Sequence, residues 1–233
     1  MSISPPNIQP YEKYFCLPDS HHDTTLCLLA DYEKIISQPF CQKLMTGELS
    51  HSHFDIFLQQ DTIYLQTFIA AHQNLLPFTR EDELFHFLQK AIDNGIQAET
   101  ELLNTLSTQT TIAPPNLITQ TYCQHLLKAT RINHPNQFYP ALASLLPCYW
   151  IYGQWASDYF NHHPNIENIY HTYFLEYQRL NLSKDALFLK KHLEKEIPTL
   201  NAQQKNDLKH NYYTSCYLEK SFFSACYTSL VTN

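Results

Sequence analysis

Three side chains of this 233-residue sequence combine reactive chemistry with an unusual setting: the thiol of Cys148 and the carboxyls of Asp61 and Glu219. Cys148 lies in the run Leu145-Leu146-Pro147-Cys148-Tyr149-Trp150-Ile151-Tyr152, an apolar segment crowded with aromatic rings. Leu145, Cys148, Tyr152, Trp155 and Tyr159 recur at the three-and-four spacing of one helix face, so Cys148 and Tyr152 point the same way. Pro147 has no N–H for a helix interior and its ring crowds the preceding turn. A kink or restart is therefore expected beside Cys148, and it could aim the thiol into a cavity. Two readings stay open: a nucleophile, or the small inert hydrophobe that a buried free cysteine usually is.

The carboxyls pose a similar question. Phe54, Phe57, Leu58, Asp61, Leu65 and Phe68 share one helical stripe, which turns Asp61 toward the core with Tyr64 at the neighbouring position. Tyr212, Ser215, Cys216, Glu219, Phe222, Phe223 and Cys226 form a second stripe with Glu219 in its middle. An unpaired buried carboxylate is costly; burial raises its pKa, and hydrogen bonds to the ionised form lower it. Each acid is either structural, bonded to a tyrosine or a helix end, or part of a polar site. Tyr122, in its own amphipathic stretch, and Tyr173, on the stripe Ile166, Ile169, Tyr173, Tyr177, add hydroxyls on other inward faces. Polar groups on several such faces point to a polar pocket within a helical bundle.

Metal ligation competes for inward carboxylates, but di-iron bundles add Glu-x-x-His pairs at helical spacing, and neither the Asp61 stripe nor the Glu219 stripe carries one. Histidines such as His51, His53, His162, His163 and His171 fall near expected helix ends or among polar neighbours and read as surface residues.

Positioning these groups requires helices. Leu28 to Ile36 gives a first one, stopped near Pro39, and a short second one precedes Gly47. Ser50 or Ser52 caps a long helix running to Pro77, and Thr79 with Asp82 forms a capping-box pattern for another that continues through Leu106. Pro114-Pro115 opens the next, the Cys148 helix follows, and further helices span about Pro164 to Tyr177 and Ser183 to Glu196. A last long helix starts from Asn201, whose side chain can cap with Gln204. No segment alternates as a strand would. The reading is a single all-α, multi-helix domain over residues 23–233, preceded by an irregular proline-containing arm at 1–22.

Composition narrows the function. With only Gly47, Gly95 and Gly153, the chain cannot build a glycine-rich phosphate loop. A net charge of −7 without a Lys/Arg cluster predicts no nucleic-acid or membrane-surface partner. Seven cysteines without a Cys-x-x-Cys spacing predict reduced thiols, and the lack of a long apolar run predicts an unexported, cytoplasmic protein.

Three separated motifs then carry a resemblance. Pro39-Phe40, Gly47-Glu48-Leu49 and Phe57-Leu58-Gln59-Gln60-Asp61 with Tyr64-Leu65, the cysteine run, and Tyr217-Leu218-Glu219-Lys220-Ser221-Phe222-Phe223 occur in the order found in the TenA (thiaminase II) family, of haem-oxygenase-like helical fold. The resemblance extends from about Gln38 to Tyr227. It implies a hydrolase that releases the amine from an aminopyrimidine and leaves hydroxymethylpyrimidine for thiamin salvage; cleavage of thiamin is the family's other activity. It further implies Cys148 as nucleophile, Glu219 as proton donor and acceptor at a ring nitrogen, and Asp61 as partner of the exocyclic amino group. Tyr64, Tyr122 and Tyr173 would shape the pocket and Tyr152 would stack near the leaving group. No cofactor or metal is implied, and the assembly would be a homotetramer. Departures exist: Gln154 and Trp155 follow the cysteine motif where acidic and small residues are frequent, and Phe223 stands where tryptophan is frequent. Glu99 is followed by Leu103 where many relatives have histidine, which argues against the metal-using branch. A di-iron oxidase of the same fold and a non-catalytic helical regulator are the alternatives.

Overall fold

The computed structural model describes residues 28–106, 113–162 and 168–229; the proposed arm and the side chains of Glu99, Leu103 and Ile166 lie outside the described residues. Ten α-helices and a few single 3-10 turns make up the described chain, with no strand among the described residues, as the sequence implies. The helices are α1 Leu28–Ile36, α2 Pro39–Thr46, α3 His51–Leu75, α4 Asp82–Leu106, α5 Leu117–Thr130, α6 Phe138–Leu142, α7 Leu146–His162, α8 His171–Leu180, α9 Leu182–Glu196 and α10 Ala202–Thr228.

Local chemistry sets most of the boundaries. Ser50 caps α3 by accepting from the His53 N–H, and Asn201 with Gln204 forms the reciprocal capping box at the head of α10. Gly47 closes α2 at φ 80°, a left-handed geometry in which a Cβ would strain the backbone. Two expectations need correction. Thr79 does not cap α4, since its hydroxyl donates to the Leu75 carbonyl and completes the preceding helix, and α4 begins only at Asp82. The helix expected from about Pro164 begins instead at His171, and Ile169 is exposed. Its onset is held back by Asn168, whose amide donates to the carbonyls of Leu44 and Met45 at the end of α2 (2.8 and 3.0 Å) while its oxygen accepts from Tyr170 N–H. Bonding to those carbonyls at the end of α2 competes with extending α8 toward the N-terminus.

The expected break beside Cys148 is a restart. After α6, the Ser144 hydroxyl donates to the Ala141 carbonyl and Leu145 N–H to the Leu142 carbonyl. α7 then opens with Pro147 as its second residue, where a missing N–H costs nothing. Cys148 thus occupies the first turn of α7.

α7 is buried on almost every side and packs along α9, α8 and α10, while α3 lies between α4 and α5. Burial of rings such as Trp155, Tyr159, Phe57 and Phe223 contributes about 1.5–3 kcal/mol each. At one point the backbones themselves meet. A Cβ on Gly153 would lie 2.4 Å from Ser183 N and 2.8 Å from Leu182 C at the head of α9. Gly153→Ala is accordingly expected to destabilise the protein by about 1–3 kcal/mol through overpacking, read as a lowered urea midpoint.

Candidate active site

Five helices each bring candidate site groups to one region inside the bundle: Asp61 and Tyr64 from α3, Tyr122 from α5, Cys148 and Tyr152 from α7, Tyr173 and Tyr177 from α8, and Glu219 from α10. Gln59 and Gln60 seat α5 against α3 just before Asp61. Gln60 accepts from Asn116 N–H and the Thr119 hydroxyl (2.9 and 2.8 Å), and Gln59 accepts from Ala113 N–H. This lock brings Tyr122 beside Tyr64, with ring centroids 4.6 Å apart.

A hydroxyl chain leads from there to Glu219. Tyr64 donates to the Tyr122 hydroxyl at 3.3 Å, and Tyr122 donates to Glu219 Oε1 at 2.9 Å. Tyr64 also lies within hydrogen-bonding reach of the Cys148 thiol. Burial pushes Glu219 up to about 8, partly offset by the Tyr122 bond and reinforced by the charge of Asp61. Burial pushes Asp61 up to about 7. The Cys148 thiol is raised well above its ordinary value, first by burial and then by the charges of Glu219 and Asp61, while Tyr64 acts in the opposite sense. A helix start favours a thiolate, so the position of Cys148 in the first turn of α7 works with Tyr64. Cys148 keeps some exposure between fully buried neighbours.

The remaining wall is aromatic. Tyr152 stands 5.0 Å from Tyr177 and 5.8 Å from Phe223, and Trp155 meets Phe223 edge-on at 5.4 Å. The buried indole N–H of Trp155 has no hydrogen-bond partner. All seven residues nominated from sequence therefore fall in one neighbourhood. Tyr177, which shares its stripe with Tyr173, also belongs there and was not nominated; its i+4 relation to Tyr173 was the available signal.

His72 escaped notice as well. It is fully buried, not a surface histidine, and its Nδ1–H donates to the Phe68 carbonyl at 2.7 Å. Nε2 is left to accept from the Tyr149 hydroxyl at 2.7 Å, and burial lowers the imidazole pKa to about 4, so the ring is neutral. The bond ties the Cys148 turn to α3. Tyr149→Phe leaves that buried acceptor unsatisfied and is expected to cost about 1–3 kcal/mol in chemical denaturation. Among the described residues, no group of three or more His, Cys, Asp or Glu side chains is gathered to hold a metal ion, and no helix is long and apolar enough to cross a membrane.

Known proteins resemble this chain in sequence and in fold. The chain is 25% identical over 214 residues to an aminopyrimidine aminohydrolase from Staphylococcus carnosus, covering 84% of this chain and 89% of that protein. It is 23% identical over 193 residues to the thiamine biosynthesis multifunctional protein ThiED of Corynebacterium glutamicum, covering 81% of this chain but only 24% of that longer relative. Its fold matches that of a TenA homologue from Pyrococcus furiosus with a TM-score of 0.74 at 11% identity, covering 84% of this chain and 94% of that one. The sequence pattern of the TENA/THI-4/PQQC family spans residues 29–229, and the chain belongs to that family.

Proposed function

We propose that the protein is an aminopyrimidine aminohydrolase of the thiaminase II type, hydrolysing 4-amino-5-aminomethyl-2-methylpyrimidine, or thiamin, to hydroxymethylpyrimidine for thiamin salvage. The observation that carries the reading is the buried hydroxyl chain from Tyr64 on α3 through Tyr122 on α5 to Glu219 Oε1 on α10, close enough to Cys148 and Asp61 for their charges to act on one another. An aromatic pyrimidine does not readily lose a side-chain amine. Addition of a sulfur nucleophile to the ring ends its aromaticity and lets the ring electrons expel the protonated amine; water then adds to the methylene carbon, and departure of the thiolate with loss of the ring-nitrogen proton restores the aromatic ring and the free thiol.

Addition places negative charge on a ring nitrogen, so a neutral carboxylic acid must supply a proton there. Glu219, with its pKa near 8, is largely protonated at neutral pH and suits that role. The thiol proton has a path. It passes to the Tyr64 oxygen as Tyr64 gives its proton to Tyr122, and Tyr122 gives its own to Glu219 Oε1, replenishing the acid. Asp61 accepts from the exocyclic amino group and orients the ring, while the aromatic wall excludes water until the amine departs.

Incubating the purified protein separately with the aminomethyl pyrimidine and with thiamin tests the reading by chromatography of the products. Formation of hydroxymethylpyrimidine from at least one of them is the expected outcome. No turnover of either one refutes the proposal.

A further inference from the structure

Thr119, Tyr122 and His125 stand three apart on α5, and three residues fall about 60° short of a full turn, so each side chain points further round the helix than the last. Their hydrogen bonds follow that rotation. Thr119 donates to Gln60 on α3 at 2.8 Å, Tyr122 bonds both to Tyr64 on α3 and to Glu219 on α10, and His125 Nε2 shares a bond of 3.0 Å with the Ser215 hydroxyl on α10. Tyr122 thus lies midway between two anchors, one to each neighbouring helix.

Going up α5 from Tyr122 to His125 means going down α10 from Glu219 to Ser215, so the helices run antiparallel and the two bonds are rungs about one turn, or about 5.4 Å, apart. Ser215 is fully buried and His125 half-buried. Burial lowers the His125 imidazole to about 4, His210 and Lys128 act in the same sense, and only the nearby Asn211 carbonyl opposes them. The ring is therefore neutral at neutral pH, and the rung persists there. The Tyr122 phenol is rigid and held from the α3 side by Tyr64, so a slide or roll of α10 would stretch its bond to Glu219. Hydrogen bonds weaken steeply as they lengthen and bend.

We infer that His125, acting through Ser215, is a positioning residue for Glu219: their rung holds α10 in place against α5 so that Tyr122 keeps its bond to the acid. The inference rests on the reading of Glu219 as the proton donor. The Tyr122 bond favours the ionised form of Glu219 and is the step by which the relay refills the acid. Loosening it raises the pKa of Glu219 and slows reprotonation. The other titratable groups that bear on Glu219 are Asp61 and Tyr64 on α3, Cys41 on α2, Cys148 and Tyr152 on α7 and Tyr177 on α8, and none of them touches the rung.

The test is a carbon-13 NMR titration of the glutamate carboxyls in the full-length protein, with the Glu219 signal identified by its loss in Glu219→Gln, beside the pH profile of kcat. In His125→Phe and in Ser215→Ala the Glu219 titration is expected to move up by about 0.5–1 pH unit, and kcat to fall about three- to ten-fold with little change in KM. The basic limb of the kcat profile should move with it. Combining the two substitutions should shift the titration no further, because both remove the same rung. His125→Gln, whose amide can reach Ser215, should restore most of the original position. Ser215→Ala removes a single oxygen and carries the test alone if circular dichroism shows that His125→Phe does not fold. A Glu219 titration that stays in place in Ser215→Ala, with only the urea midpoint lowered, overturns the inference. The titration needs no turnover: a shifted Glu219 in a protein that hydrolyses neither the aminomethyl pyrimidine nor thiamin upholds the rung and refutes the aminopyrimidine reading.

Discussion

Replacing Cys148 by serine is expected to abolish turnover, lowering kcat by about a thousand-fold or more while the protein remains folded. A hydroxyl is a far weaker nucleophile than a thiol at neutral pH, because its pKa lies much higher and it gives almost none of the ionised form. The substitution removes little volume, and the partly exposed sulfur is no main support of the core, so stability should change by less than about 1.5 kcal/mol. Activity assays together with urea unfolding separate the two effects. Retention of wild-type turnover would exclude covalent catalysis by this thiol. Full activity of that variant in a cellular thiamin-salvage assay would favour the non-catalytic regulator instead.

The second large effect is expected at Glu219. Glu219→Gln removes a transferable proton and should lower kcat by about 10²–10⁴-fold. The proposed mechanism uses the protonated acid, so activity should fall as the pH rises through about 8. Stability moves the same way. The folded-state pKa values of Glu219 and Asp61 lie above their ordinary values of 4.5 and 3.8, so the folded protein binds more protons than the unfolded chain between those limits. Their protonated burial costs little below about pH 4, and stability is lost as the pH climbs through about 7 and 8. Glu219→Gln should therefore unfold at a higher urea concentration than the wild type at pH 8.5 but not at pH 5. Loss of activity without this crossover would contradict a buried, proton-holding Glu219.

Much of this was legible in the sequence because period and caps are local. The stripes around Asp61 and Glu219 are real inward faces, and Ser50, Asn201 and Gly47 mark helix ends by their own hydrogen-bonding or backbone preference. What escaped depended on distant partners. Asn168 delays α8 by bonding to α2, and Thr79 turns back to α3, neither of which a local capping pattern reveals. His72 looked like any other histidine until Tyr149, 77 residues away, supplied its hydroxyl. Tyr177 was hidden by number, being one of sixteen tyrosines, and only the packing of α8 against α7 marks it.

Because α3, α5, α7, α8 and α10 each contribute part of the constellation, no fragment or half-docked intermediate holds a working set of groups. Enzyme activity should consequently report on global assembly: during heating, inactivation and the loss of near-ultraviolet ellipticity are expected to follow a single curve. A nascent chain leaving the ribosome would stay chemically silent until α10, the carrier of Glu219, had been synthesised and docked.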